Sequence, residues 1–252
     1  MGQQGGNTRV RSTGRIYNFP LAYADPGEHT GIPVNIGGLL SRSELLAALG
    51  PSALAGLAAA SQSRSLARGE VLFDQGDEGR ELFMVRSGRI AMAKRSADGR
   101  SSVVALMEDE DLFGEMSLFD GKGRSTEARA LEPSEVVAVP YPALRQALAA
   151  RPEALWTVVA LLVERLRVTD EALADSMFLD VTGRTAKRIL ELAGSSDSFV
   201  LPVTQEELAG MVGASRERVN KAIATFCRLH WLELNDRHYR ILDRAKLSQR
   251  AV

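Results

Sequence analysis

The sequence predicts an α+β chain: a small β barrel or jelly roll, then one long helix, then a basic segment of short helices. Three observations carry that order. Residues 66–141 alternate short apolar runs with turn signals, at the spacing of a compact all-β unit. Residues 152–178 hold an apolar stripe at helical spacing. Residues 181–252 carry 12 basic and 8 acidic side chains, a net +4, which leaves −5 for the remainder of a chain whose total is only −1. A near-neutral total therefore hides two opposed parts, and a basic segment of this kind points to nucleic acid.

Composition bounds the rest. A chain of 252 residues suits one large or two modest domains, and 45% hydrophobic with 25% charged residues is ordinary for a globular protein. One cysteine excludes an intrachain disulfide and any four-cysteine zinc or iron–sulfur site within one chain. The opening residues have no apolar stretch of the signal-peptide kind, and Gly6 stands where a myristoylation motif needs Ser or Thr. The most apolar run, Leu155 to Val168, is broken by Glu164, Arg165 and Arg167 and is too short to span a bilayer. The expected location is the cytoplasm, with no membrane partner and a reduced thiol.

In chain order, residues 1–38 read as a mobile N-terminal extension, rich in Gly and Pro and without a period. Tyr17, Phe19, Leu21 and Tyr23 offer apolar groups that can clip it to the body. From Leu39 to Leu66 a helical period appears, with Ser43 as one cap and Pro51-Ser52 starting another helix. The runs Val71–Phe73, Leu82–Val85, Ile90–Ala93, Val103–Leu106 and Val136–Val139 read as strands. Turn signals between them include Gly69, Gly76, Gly88 and Asp98-Gly99. In the long helix, Leu155, Val159, Leu162, Leu166, Thr169 and Leu173 follow a spacing of three or four, close to a coiled-coil seam. Trp156, Val158, Leu161 and Val163 flank that stripe, which is broader than a two-helix seam needs. Both surfaces are expected to be used, one against the helix's own barrel and one against a second subunit.

The sharpest local signal runs from Thr204 to Phe226. Thr204 with Glu207 is a capping box, and Leu208, Ala209 and Val212 form an apolar face. Gly213 sits where a turn needs a positive φ. Ser215 caps a second helix whose inner face is Val219, Ala222, Ile223 and Phe226, and whose outer face shows Arg216, Glu217, Asn220 and Lys221. Two helices, a tight turn and an outward polar face describe a helix-turn-helix. An arginine fork suits guanine O6 and N7, and a glutamate accepts from cytosine N4. The competing reading is a plain helical hairpin with a solvated charged face.

With these residues in view, the chain resembles the cyclic-AMP receptor protein (CRP/FNR) family of bacterial transcription regulators. The resemblance runs from about Leu39 to Leu247. It rests on Gly76-Asp-Glu-Gly-Arg-Glu-Leu-Phe-Met-Val-Arg-Ser-Gly88, on Phe113-Gly-Glu-Met-Ser-Leu-Phe119 followed by Gly123-Arg-Ser-Thr126, on the long helix, and on Val212-Gly-Ala-Ser-Arg-Glu217. It implies a cyclic-nucleotide-binding β jelly roll over 39–150, a dimerisation helix over 151–179 and a winged helix-turn-helix DNA-binding domain over 180–252. Cyclic AMP is the implied effector, with no cofactor.

The implied ligand set is Gly114, Glu115, Met116, Ser117, Arg124, Ser125, Thr126, Thr169 and Asp170. The chemistry suits it. Backbone N–H groups around Gly114 to Met116 can line an anion nest. An ionised Glu115 only accepts, so it fits a ribose hydroxyl. Arg124 supplies a planar fork for one phosphate and Ser125 a short hydroxyl. Thr169 matches the family's adenine-contacting threonine. A competing reading pairs Arg124 with Glu127 on the surface and leaves Gly114 merely turning a strand corner.

The implied DNA set is Thr204, Gln205, Ser215, Arg216, Glu217, Asn220 and Lys221. Two positions depart from the family pattern. Asp170 stands where better-known members place a neutral polar residue that reaches across the dimer to the base, and a carboxylate buried there without a partner would cost affinity. Lys221 replaces an arginine, which loses bidentate geometry and relaxes base selection. A half-site of the TGTGA kind is implied through Arg216 and Glu217.

The resemblance also implies a homodimer on an inverted-repeat operator, with RNA polymerase as a partner if the protein activates. Asp170 leaves open a regulator of the same fold whose pocket is degenerate and which binds DNA without a cyclic nucleotide. No Cys or His falls within 39–226, so a metal sensor in the barrel lacks ligands. No Walker loop, HExxH or Ser/His/Asp set argues for an enzyme.

Overall fold

The computed structural model describes residues 35–96 and 101–252. The predicted extension over 1–38 lies outside them except for its last four residues, as does the Asp98-Gly99 turn. Those last residues are already helical: Asn35 accepts from the Gly38 N–H and caps α1, Ile36–Leu40.

Helix α2, Glu44–Ala47, starts at Ser43, whose hydroxyl accepts from the Leu46 N–H. Helix α3, Pro51–Ala60, has its proline in the first turn, where the missing N–H costs nothing. The helical period read through to Leu66 in fact stops at Ala60, because Ser61 is extended and Gln62–Leu66 forms strand β1. That stretch holds one apolar residue, so it carries no strand period of its own. It is a strand because β8 offers it a ladder.

The strands then run β2 Val71–Phe73, β3 Glu81–Ser87, β4 Ile90–Arg95, β5 Ser101–Met107 and β6 Leu112–Phe113. Helix α4, Met116–Asp120, intervenes before β7 Glu127–Ala130 and β8 Ser134–Pro140. All five predicted apolar runs are strands; β1, β6 and β7 were not predicted. β7 reads Glu-Ala-Arg-Ala, and its buried Glu127 is held by ion pairs to Arg95 and Arg129. Two antiparallel sheets result, in the orders β1-β8-β3-β6 and β2-β7-β4-β5. They share a core of Phe83, Val85, Ile90, Met92, Phe113 and Val136 among others. This is the two-sheet arrangement expected of a jelly roll.

Helix α5, Tyr141–Ala150, and a 3₁₀ turn at Pro152–Ala154 lead into α6, Leu155–Phe178. Helix α6 uses one face on its own chain: Val158 and Leu161 are buried with Leu40, Leu45 and Leu144. The predicted seam lies elsewhere on the helix. Leu155, Val159, Leu162, Leu166 and Leu173 are 39–59% exposed. Among the described residues, no single helix is long and apolar enough to cross a membrane.

The C-terminal segment comprises α7 Val181–Ala193, β9 Ser198–Val200, α8 Gln205–Val212, α9 Arg216–Arg228, β10 Leu232–Asn235, β11 His238–Ile241 and α10 Arg244–Arg250. Strands β10, β11 and β9 form a small antiparallel sheet, the wing beside α8 and α9. This segment packs on the jelly roll as well as on itself, since Ala91, Val103 and Leu106 belong to the same core as Leu208, Val212 and Ile223.

Candidate functional site

Two places collect the polar residues singled out above. The first is a cavity of about 330 Å³ between the β6–α4 corner, the Arg124 loop and the first half of α6. Gly114, Glu115, Met116, Ser117, Arg124, Ser125 and Thr126 all line it. The corner depends on Gly114, which has φ of +82° and a Cβ position only 2.6 Å from an Arg124 nitrogen. Only glycine accommodates both constraints.

Arg124 is 5% exposed. Its guanidinium donates to the Gly114 carbonyl at 2.9 Å, to the Glu81 carbonyl at 2.8 Å and to the Tyr141 hydroxyl at 3.0 Å. It also stacks 4.3 Å from the centroid of the Phe73 ring. The surface pairing with Glu127 does not occur: Glu127 is taken by Arg95 and Arg129. All of Arg124's protein acceptors are neutral, and its buried Nε has no hydrogen-bond partner among the described residues. A buried cation without a counter-charge carries an uncompensated desolvation cost, which an anion would relieve.

Glu115 is 2% exposed. It is paired with Arg165 of α6, whose other nitrogen donates to the Leu112 carbonyl at 2.6 Å. Sequence reasoning missed Arg165. The signal was present: Val158, Leu161 and Arg165 follow an i, i+3, i+7 spacing, and the first two face the barrel. Ser125 is exposed, and its hydroxyl lies 3.4 Å from the Met116 sulfur.

Thr169 and Asp170 are not brought to this cavity within one chain. Thr169 lies one turn beyond Arg165 and donates to the Arg165 carbonyl at 2.9 Å. It lines a second cavity of about 350 Å³, with Ser102, Val104, Arg184, Arg188 and Gly213. Asp170 is exposed and lines neither of these two cavities.

The second polar place is the outer face of α9. The helix-turn-helix is assembled as its caps require. Thr204 accepts from the Glu207 N–H at 3.1 Å, and Glu207 accepts from the Thr204 N–H at 2.8 Å. Gly213 ends α8 with φ of +68°. Ser215 caps α9 through the Arg218 N–H at 3.4 Å. Val219, Ala222, Ile223 and Phe226 are buried, which leaves Arg216, Glu217, Asn220 and Lys221 exposed together. Gln205 is engaged internally and donates to the Tyr239 hydroxyl of the wing at 2.7 Å.

Helix α8 rests directly on edge strand β5. Ser102 donates to the Gly210 carbonyl at 2.8 Å, and Arg129 of β7 pairs with Glu207 at 2.9 Å.

Family comparisons agree with this arrangement. The model of the cyclic nucleotide-binding domain matches residues 63–151, and that of the Crp-like helix-turn-helix domain matches residues 183–250. A CRP-like cAMP-activated global transcriptional regulator of Mycobacterium tuberculosis is 38% identical over 220 residues, covering 84% of this chain and 98% of that protein. The chain belongs to the CRP/FNR family. The cAMP-activated global transcriptional regulator CRP of Escherichia coli is 32% identical over 159 residues, 60% of this chain and 76% of that one. A CRP-family transcriptional regulator of Thermus thermophilus superposes with a TM-score of 0.63 at 26% identity, covering 75% of this chain and 96% of that chain. As a CRP/FNR member the protein is a DNA-binding transcription regulator with a cyclic-nucleotide-binding domain, and not an enzyme. The exposed face of α9 lies on the second helix of the matched helix-turn-helix domain.

Proposed function

We propose that the regulator is switched by cyclic AMP. The observation that carries this reading is that Arg124 and Glu115 line one cavity. Arg124 is a buried cation whose acceptors among the described residues are all neutral, with its Nε–H left over. Glu115 has two carboxylate oxygens, so it can accept a ribose hydroxyl while it keeps Arg165. A cyclic nucleotide offers one phosphate charge and one free ribose hydroxyl, in the proportion these two residues match. Gly114 with positive φ followed by Glu115 in the right-handed region supports a backbone anion nest beside them. The cAMP-activated relatives support the choice of nucleotide.

The protein acts as a homodimer in the cytoplasm on an inverted-repeat operator with half-sites of the TGTGA kind. The exposed leucine stripe of α6 supports the dimer, because a second copy of the same helix buries it. Thr169 and Asp170 then belong to a base site completed between subunits. Ligand shifts the population of arrangements of the two reading heads, and RNA polymerase is the partner where the regulator activates. The alternative, a degenerate pocket that leaves DNA binding independent of ligand, rests on Asp170, which is exposed in the single chain.

Calorimetry with cyclic AMP on the wild type and on Arg124→Ala tests the pocket, alongside operator titrations that count chains per site. The wild type binds the nucleotide, and the variant binds it about 10–100-fold more weakly, as expected for lost hydrogen bonds to a charged group. Equal affinities, or operator binding by one chain, overturn the reading.

A further inference from the structure

We propose that Tyr141 is a positioning residue for the phosphate end of this pocket: its hydroxyl fixes the plane in which Arg124 presents its fork. The proposal rests on the reading that Arg124 receives the phosphate.

Tyr141 is the first residue of α5, and its N–H donates to the Arg80 carbonyl at 2.9 Å. The side chain is buried, and its hydroxyl touches both halves of the anion site. It donates to the Gly114 carbonyl and accepts from the Arg124 guanidinium. The direction of these bonds is forced. An arginine nitrogen can only donate, so the single phenolic proton goes to Gly114. One hydroxyl therefore ties together the start of α5, the β6–α4 corner and the arginine loop.

The restraint matters because the other acceptors leave the fork under-determined. The Gly114 and Glu81 carbonyls each hold one terminal nitrogen, and no carboxylate of the described residues pairs with it. Phe73 covers its face. The Tyr141 oxygen is the third acceptor and, among the described residues, the only one from a side chain. Its loss leaves the fork on two carbonyls and the ring contact with Phe73, with a weaker restraint on its plane. The direction of the spare Nε donor then spreads. Burial pushes the Tyr141 hydroxyl up from its ordinary value, partly offset by Arg124, so it keeps its proton at neutral pH.

Tyr141 also packs among Leu82, Leu144 and neighbouring core residues, so a purely structural role is the rival explanation. Tyr141→Phe separates the two, since it keeps the ring and removes only the oxygen. Calorimetry of the full chain is run with cyclic AMP and with its two phosphorothioate diastereomers, each of which carries sulfur in place of one exocyclic oxygen. A fixed fork distinguishes the two oxygens; a loose one does not. Tyr141→Phe is expected to bind cyclic AMP about tenfold more weakly, with the ratio of diastereomer affinities moved toward one. An unchanged affinity overturns the proposal, and so does a weakened affinity with the wild-type ratio retained. Arg124→Ala is the companion variant. If it leaves cyclic AMP affinity unaltered, the phosphate reading itself fails. If Arg124→Ala weakens binding and Tyr141→Phe changes nothing, only the role of Tyr141 is lost.

Discussion

Replacing Gly210 by alanine sets two effects of known size against each other. Gly210 lies inside helix α8, and a free helix gains about 1 kcal/mol from Gly→Ala. In a body of this size that is a rise of about 2–4 °C in Tm. Helix α8 is not free, however. A Cβ on Gly210 would sit 3.2 Å from both the Ser101 carbonyl oxygen and the Ser102 Cα. Both are backbone atoms of β5, so no side chain can swing aside. Overpacking of this kind costs about 1–3 kcal/mol. The expected net result runs from no change to a loss of about 2 kcal/mol. Gly56 supplies the internal control. It lies within helix α3, and nothing stands within 4 Å of its Cβ position. Gly56→Ala should therefore gain most of the helical term. Urea unfolding of the full chain, followed by circular dichroism, compares the two variants. Gly210→Ala should fall at least about 1 kcal/mol below Gly56→Ala. Equal stabilisation would refute the docking of the helix-turn-helix on β5.

Three further outcomes are expected. Lys221→Ala should lower the slope of log binding constant against log salt by about one, and Arg216→Ala should cost about 1–3 kcal/mol with selectivity relaxed at one base pair, both read from operator titrations at several salt concentrations. Asp180 caps α7 by accepting from the Gly183 N–H at 2.8 Å and is paired with Arg250. Chiefly that N–H, with Arg250 adding to it, holds the carboxyl below the usual carboxylate range. A depressed carboxyl stabilises the fold above its unfolded value of about 3.9, and loses that contribution as pH falls through its lower folded value. Asp180→Ala should thus cost about 0.5–2 kcal/mol near pH 6, and the gap from wild type should close below about pH 4 in unfolding measurements.

Much of the DNA-binding motif was legible in the sequence. Thr204 with Glu207, Gly213 and Ser215 are signals confined to a few residues, and each forms the cap or turn its chemistry demands. The segment from Gly114 to Arg124 was legible for a similar reason. Gly114, Glu115 and Arg124 lie within eleven positions of one another and line one cavity. Strands β1 and β7 were not legible, because Gln-Ser-Arg-Ser-Leu and Glu-Ala-Arg-Ala acquire their extended form from partners rather than from an apolar period.

The sequence alone determined the α+β class, the long helix with its exposed stripe, and which short segments carry polar chemistry. These depend on caps, turns and periodicities that act within a turn or two of the chain. The tertiary structure alone decided what those groups meet. It paired Glu115 with Arg165, 50 residues away, and fastened Ser102 to Gly210 across 108 residues. It buried Arg124 among carbonyls instead of pairing it with Glu127, and it set Thr169 on a different cavity. Such contacts follow from how sheets and helices pack, and sequence separation carries no measure of that distance.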